Sequence, residues 1–205
     1  MDINQIFNYA LSSLTNPTKT ASDLTKKKLT LEDGALAVIL GALVPAVISA
    51  LIALVALTWM GMMASWMPMM GGLGLLGAGM GAIAAITILI ALPIAVLIAW
   101  LILSVILWVV ASVLGGKGDF SKFAAVWAFP MAAVVALSWI PVINILVSLY
   151  AIYLLYVFLQ PTMKMDSNKA AITVIVLFVL WLVCWAVFGG MAAWGSATSM
   201  KPWYP

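Results

Sequence analysis

Apolar residues run along this chain in blocks far longer than a soluble helix uses, broken only by a few short polar segments. No charged residue occurs between Gly34 and Gly116, and one membrane crossing takes about 20 apolar residues. That stretch therefore holds at least two crossings. The first is expected over about 35–59, with Thr30 as its cap and Glu32 and Asp33 in the first turn, where the helix dipole favours negative charge. The second is expected over about 83–114, too long for a straight crossing, so it must tilt, protrude or begin near Pro93. A polar turn at Gly115-Gly116-Lys117-Gly118-Asp119 leads to a third span over 120–139, and Ile140-Pro141 turns into a fourth that ends at Gln160. Residues 161–169 are polar, and a fifth span follows over about 170–194.

Two segments break this rhythm. Near the start, Ile3, Ile6, Phe7, Ala10, Leu11 and Leu14 recur at helical spacing, with Asn4, Gln5, Asn8, Ser12 and Ser13 opposite. This reads as a short amphipathic helix ended by Asn16-Pro17. It can lie in the membrane interface, bind a partner or pack under the bundle. It lacks the basic flank and continuous apolar run of a cleavable signal. The other segment, 60–82, carries Pro68 and many glycines, so it reads as an outer loop, a half-helix or a re-entrant piece.

Lysine placement orients the pattern. Five spans with the N-terminus in the cytoplasm put eight of the nine lysines inside and leave Lys201 outside, as the positive-inside rule demands. Trp59, Trp66, Trp139, Trp194 and Trp203 then fall at the expected outer interface, an aromatic belt. The expected class is an all-α polytopic integral membrane bundle in the cell membrane. It divides into a cytoplasmic amphipathic and basic segment (1–33), a five-span domain (34–194) with its outer segment at 60–82, and an outer tail (195–205).

Composition agrees: 66% of residues are hydrophobic and 7% charged, against about a quarter charged in soluble domains. Histidine and arginine are absent and Cys184 is the single cysteine. No disulfide framework, cofactor or cysteine-based metal site is expected, nor nucleic-acid binding. No carboxylate or lysine falls inside an expected span, which argues against enzymes and proton-coupled pumps.

Several groups of residues remain as candidates. Lys26, Lys27, Lys28, Lys117, Lys122, Lys164 and Lys169 make a cytoplasmic face suited to anionic headgroups or a protein partner. Met60, Met62, Met63, Met67, Met69 and Met70 are soft thioethers that can hold Cu(I), or else an apolar loop against lipid. Asn144, Ser148, Tyr150 and Tyr153 place polar groups at membrane depth, as structural glue or as the lining of a small-solute or ion permease. Ala124, Ala128, Ala132 and Ala136 recur every fourth residue, as do Ala42-Ala46-Ala50, Ala91-Ala95-Ala99 and the pairs Ala186-Gly190 and Gly189-Ala193. Such faces let helix backbones approach closely, within a bundle or between copies of the chain.

The Gly-Gly-Lys-Gly-Asp-Phe-Ser-Lys-Phe turn (115–123), the alanine-rich helix after it, the Trp-Ile-Pro turn and the lysine-rich stretch after Asn16-Pro17 resemble the Yip-domain family, specifically its short prokaryotic branch. The resemblance implies five spans and a cytoplasmic N-terminus. Eukaryotic relatives imply roles in vesicle trafficking and membrane shaping and the binding of prenylated small GTPases. This sequence lacks their long N-terminal region and Asp-Leu-Tyr-Gly-Pro type motif, and Phe129-Pro130 replaces their aromatic, small-residue stretch. The implied role is a non-enzymatic membrane scaffold or adaptor.

Overall fold

The computed structural model describes residues 1–65 and 73–199, with side chains outside 64–79, 185 and 187–199. Among the described residues there are seven helices and no strand: α1 (Ile3–Thr15), α2 (Pro17–Lys26), α3 (Leu31–Ser65), α4 (Leu73–Val113), α5 (Phe120–Leu137), α6 (Pro141–Met163) and α7 (Ser167–Ser199). The last five are each long and apolar enough to cross a membrane.

Local chemistry fixes the ends of these helices. Thr30 and Asp33 cap α3 reciprocally: the Asp33 amide donates to Thr30 Oγ1 (3.3 Å) and the Thr30 amide to Asp33 Oδ2 (3.0 Å). Asp119 caps α5, accepting from the Lys122 amide at 3.1 Å, and Asp166 caps α7, accepting from the Lys169 amide at 2.8 Å. Pro141 opens α6, where its missing N–H is no loss. Lys164 closes α6 in the left-handed region at φ 51°.

α3 is the spine. Its most extensive partner is α4, and its next is α5. A β-carbon on Gly34 would lie 2.9 Å from the Ala125 Cα, and one on Gly41 would lie 2.5 Å from the Ala132 carbonyl oxygen. Gly34-Ala125 and Gly41-Ala132 advance together, so α3 and α5 run parallel with their backbones in contact. Ala124, Ala128 and Ala132 are buried as their spacing requires, while Ala136 is half-buried. In lipid no hydrophobic force separates helix–helix from helix–lipid contact, so close approach through small residues is what holds such a pair. Gly34 also lies against the Trp100 ring of α4, making a three-helix junction.

The structure narrows two readings the sequence pattern left open and departs from it in two other places. The segment 60–82 is helical at both described ends, 60–65 closing α3 and 73–82 opening α4, while 66–72 lie outside the described residues. Gly81 there seats against the Leu54 carbonyl and Thr58 of α3, so the glycine serves helix contact rather than a turn. Pro93 does not start the second span: α4 runs through it for 41 residues, about 62 Å. The alanines at 91, 95 and 99 are exposed, because α4 buries Pro93, Trp100, Ser104, Leu107 and Ala111 instead. The described tryptophans of the expected belt are not level. Carried forward, the α3–α5 register puts Trp139 about level with Ile48, eleven residues or about 16 Å short of Trp59.

Gly41→Val should push α3 off the Ala132 backbone and lower stability by about 1–3 kcal/mol. Ala95→Val on the exposed side of α4 should change it by less than about 0.5 kcal/mol. Thermal unfolding of the two purified variants in detergent measures the difference.

Candidate functional site

The bundle gathers its lysines at one end. The starts of α3, α5 and α7 and the ends of α4 and α6 meet there, because the Gly-Gly-Lys-Gly turn is clamped between α4, α6 and α7. Gly115 has φ +95°, open to glycine at no steric cost, and its Cα side faces the Lys169 ammonium. A β-carbon on Gly116 would stand 2.9 Å from the Ala111 carbonyl oxygen, and one on Gly118 would collide with the Thr162 carbonyl. The Lys117 amide donates to the Met163 carbonyl at 2.8 Å, satisfying one of the unpaired carbonyls at the end of α6. From α4, the Trp108 indole N–H donates to the Gly118 carbonyl at 2.9 Å, and its ring meets Phe120 edge-on at 5.9 Å.

This clamp holds Lys117, Lys164 and Lys169 exposed on neighbouring turns, with Lys122 half-buried beside them. Lys26, Lys27 and Lys28 join the same end through the link into α3, Lys26 and Lys28 exposed. Lys27 lies 4.4 Å over the Tyr9 ring, a cation–π contact that fastens the link to α1. The seven lysines singled out by the sequence therefore converge.

α1 and α2 form a hairpin against the bundle rather than a helix apart from it. Asn16-Pro17 ends α1, and Pro17 begins the polar helix α2, which the sequence pattern does not separate out. α1 packs on α5, with Ile6 and Ser13 buried and Tyr9 edge-on to Phe129 at 6.2 Å. α2 packs on α6. Tyr150 of α6 donates its hydroxyl to the Leu14 carbonyl at 2.9 Å, occupying an acceptor in the last turn of α1. The Met1 amino group lies 2.8 Å from Asp33 Oδ1. Of the three roles open to α1, packing on the bundle is the one seen. Its apolar face is nonetheless split, with Ile3, Phe7 and Leu11 exposed beside an apolar cleft of about 360 Å3 between α1, α3 and α5, where Ala136 lies.

The remaining candidates scatter. Ser148 donates to Asn144 Oδ1 at 3.3 Å, and both are exposed on α6. Tyr150 and Tyr153 face each other at 5.5 Å beside the N-terminal hairpin, so the polar residues of this span do not line one path. Met60, Met62 and Met63 are exposed on the last turns of α3, while Met67, Met69 and Met70 lie outside the described residues. Of the expected packing pairs Ala186-Gly190 and Gly189-Ala193, Ala186 is exposed, and Gly189, Gly190 and Ala193 fall where side chains are not described. Among the described residues no group of histidine, cysteine, aspartate or glutamate is placed to hold a metal. Two buried donors on α4, Trp100 Nε1 and Ser104 Oγ, have no partner among the described residues. The sequence signal for them was a lone serine four residues after a tryptophan within an apolar run.

Five apolar helices in up-and-down order define a multi-pass membrane protein. Residues 11–188 match the Yip1 domain, and the chain belongs to that family. Comparison with curated proteins and with solved structures found no match.

Tyr150→Phe should leave the Leu14 carbonyl without its partner and weaken the docked hairpin by about 1 kcal/mol. Limited trypsin digestion should then cut at Lys19 and Lys26 several-fold faster, with cutting at Lys117 unchanged.

Proposed function

We propose that this Yip1-domain chain, of the short prokaryotic branch, is a non-enzymatic scaffold or adaptor of membrane organisation. Its lysine-bearing end faces the cytoplasm and docks anionic surfaces, lipid headgroups together with an acidic protein partner. The observation that carries this reading is the convergence of exposed lysines from separate chain segments on a backbone clamped by Gly115, Gly116 and Gly118. Charge held on a fixed frame recognises a partner with less ordering cost than charge on a loose loop. Each lysine near an anionic surface adds about 1 kcal/mol. The trafficking and membrane-shaping roles implied by the family resemblance support the same reading. A permease reading lacks this support, since Tyr150 is engaged with α1 and Tyr153 lies beside α2 rather than on a shared path.

Orientation is tested in whole cells. Lys117→Cys in a Cys184→Ser background should stay unlabelled by a membrane-impermeant thiol reagent until the cells are opened, and labelling of intact cells would reverse the assigned face. The role is tested by photo-crosslinking the full chain in its native membrane from position 168, exposed on the same turn. Discrete protein adducts are expected, and they should fall at least about tenfold when Lys117, Lys164 and Lys169 are all glutamine. Solute flux through reconstituted protein, with no adducts, would replace the scaffold by a permease.

A further inference from the structure

Beside α6, the hairpin leaves a polar hollow. Two adjoining spaces of about 610 and 390 Å3 lie between α2 and α6 and share Thr18, Ser22 and Tyr153. Lys19, Asp23 and Lys26 border the first, and Gln160 the second. Two cations therefore face one carboxylate. Among the described residues, the side-chain polar atoms of Thr18, Lys19, Ser22, Lys26 and Tyr153 have no hydrogen-bond or ion-pair partner in the chain.

Height makes this hollow unusual. Tyr153 stands ten residues from the end of α6 at Met163, within a helix that crosses the membrane. Ten residues of helix rise about 15 Å, half the hydrocarbon thickness of about 30 Å. α4 exposes Leu103, Ile106, Val109 and Val113 down to the lysine-bearing end, so on that helix the apolar band already covers this height. Charged and hydroxyl groups at such a level require a polar occupant. Water would solvate them but would not balance the excess positive charge. A phosphate diester would, accepting from the ammonium groups and from the hydroxyls of Thr18, Ser22 and Tyr153. Leu149 and Ile152, exposed on α6 next to Tyr153, offer apolar surface for acyl chains, which a free phosphate would not use.

We propose that the hollow between α2 and α6 binds the headgroup of an anionic glycerophospholipid, with Lys19 and Lys26 as its counter-charges. This site shares Lys26 with the lysine-bearing end but none of Lys117, Lys164 and Lys169, and it does not depend on the scaffold reading. The full chain in nanodiscs of phosphatidylglycerol diluted in phosphatidylcholine, released into native mass spectrometry, reports the retained lipid. Lys19→Gln with Lys26→Gln should lower phosphatidylglycerol retention at least about tenfold. Lys19→Arg with Lys26→Arg should preserve it, and Asn144→Ala with Ser148→Ala, on an exposed stretch of α6 that borders neither space, should leave it unchanged. Ser22→Ala with Tyr153→Phe, which keeps every charge, should lower retention a few-fold and serves as the second measure if the glutamine pair misfolds. Retention undiminished in both sets of variants would overturn the proposal. Displacement of the lipid by soluble glycerol phosphate would also overturn it, assigning the hollow to a free phosphate ester.

Discussion

Backbone contact between α3 and α5 is the constraint on which the rest of this bundle depends. A helix pair in lipid has no apolar burial to gain, so it persists through dispersion and fit. Gly34 and Gly41 remove the side chains that would hold the two axes apart, and Ala125, Ala128 and Ala132 supply the facing surface. Two glycines seven residues apart fix register as well as distance, and register decides which chain segments meet at the end of the bundle. With Gly34 opposite Ala125, the cap of α3 and the cap of α5 come level, and the lysine-rich link stands beside the glycine turn.

The end of the bundle and the N-terminal hairpin are held by a different kind of interaction. Helix termini leave carbonyls without partners, and this protein uses them as attachment points. The end of α6 accepts from the Lys117 amide, and the last turn of α1 accepts from Tyr150. Neither partner belongs to the helix it completes. The glycine turn can reach α6 only because its own backbone is bare at Gly116 and Gly118. The residues that carry the strongest family resemblance are thus explained by space and by a positive φ, without any catalytic demand on them.

Much of this was legible from the residues alone, for identifiable reasons. Five spans follow from run length, and the Thr30 cap follows from side-chain chemistry at fixed offsets. The alanine face of α5 could be read because four positions recur without interruption. Other features depend on partners distant in the chain. Tyr150 reads as a polar residue of a membrane span, and only the fold reveals that its acceptor is Leu14. The alanines of α4 repeat as regularly as those of α5, yet lie exposed, since the bulk of Trp100 and Leu107 determines which side of α4 turns inward. The polar hollow was hidden for a similar reason. α2 is a polar stretch of ten residues whose placement along α6 cannot be read from its own pattern.

The unequal reach of the helices has a mechanical consequence. α5 has 18 residues and α4 has 41, lengths of about 27 and 62 Å. One flank of the protein therefore ends near the height of a single bilayer core while another stands far taller. Each ångström of mismatch between a helix and the hydrocarbon core costs a fraction of a kcal/mol. A crossing longer than the core tilts, stands out of it or thickens the bilayer beside it, so α3 and α4 set the taller side of the bundle.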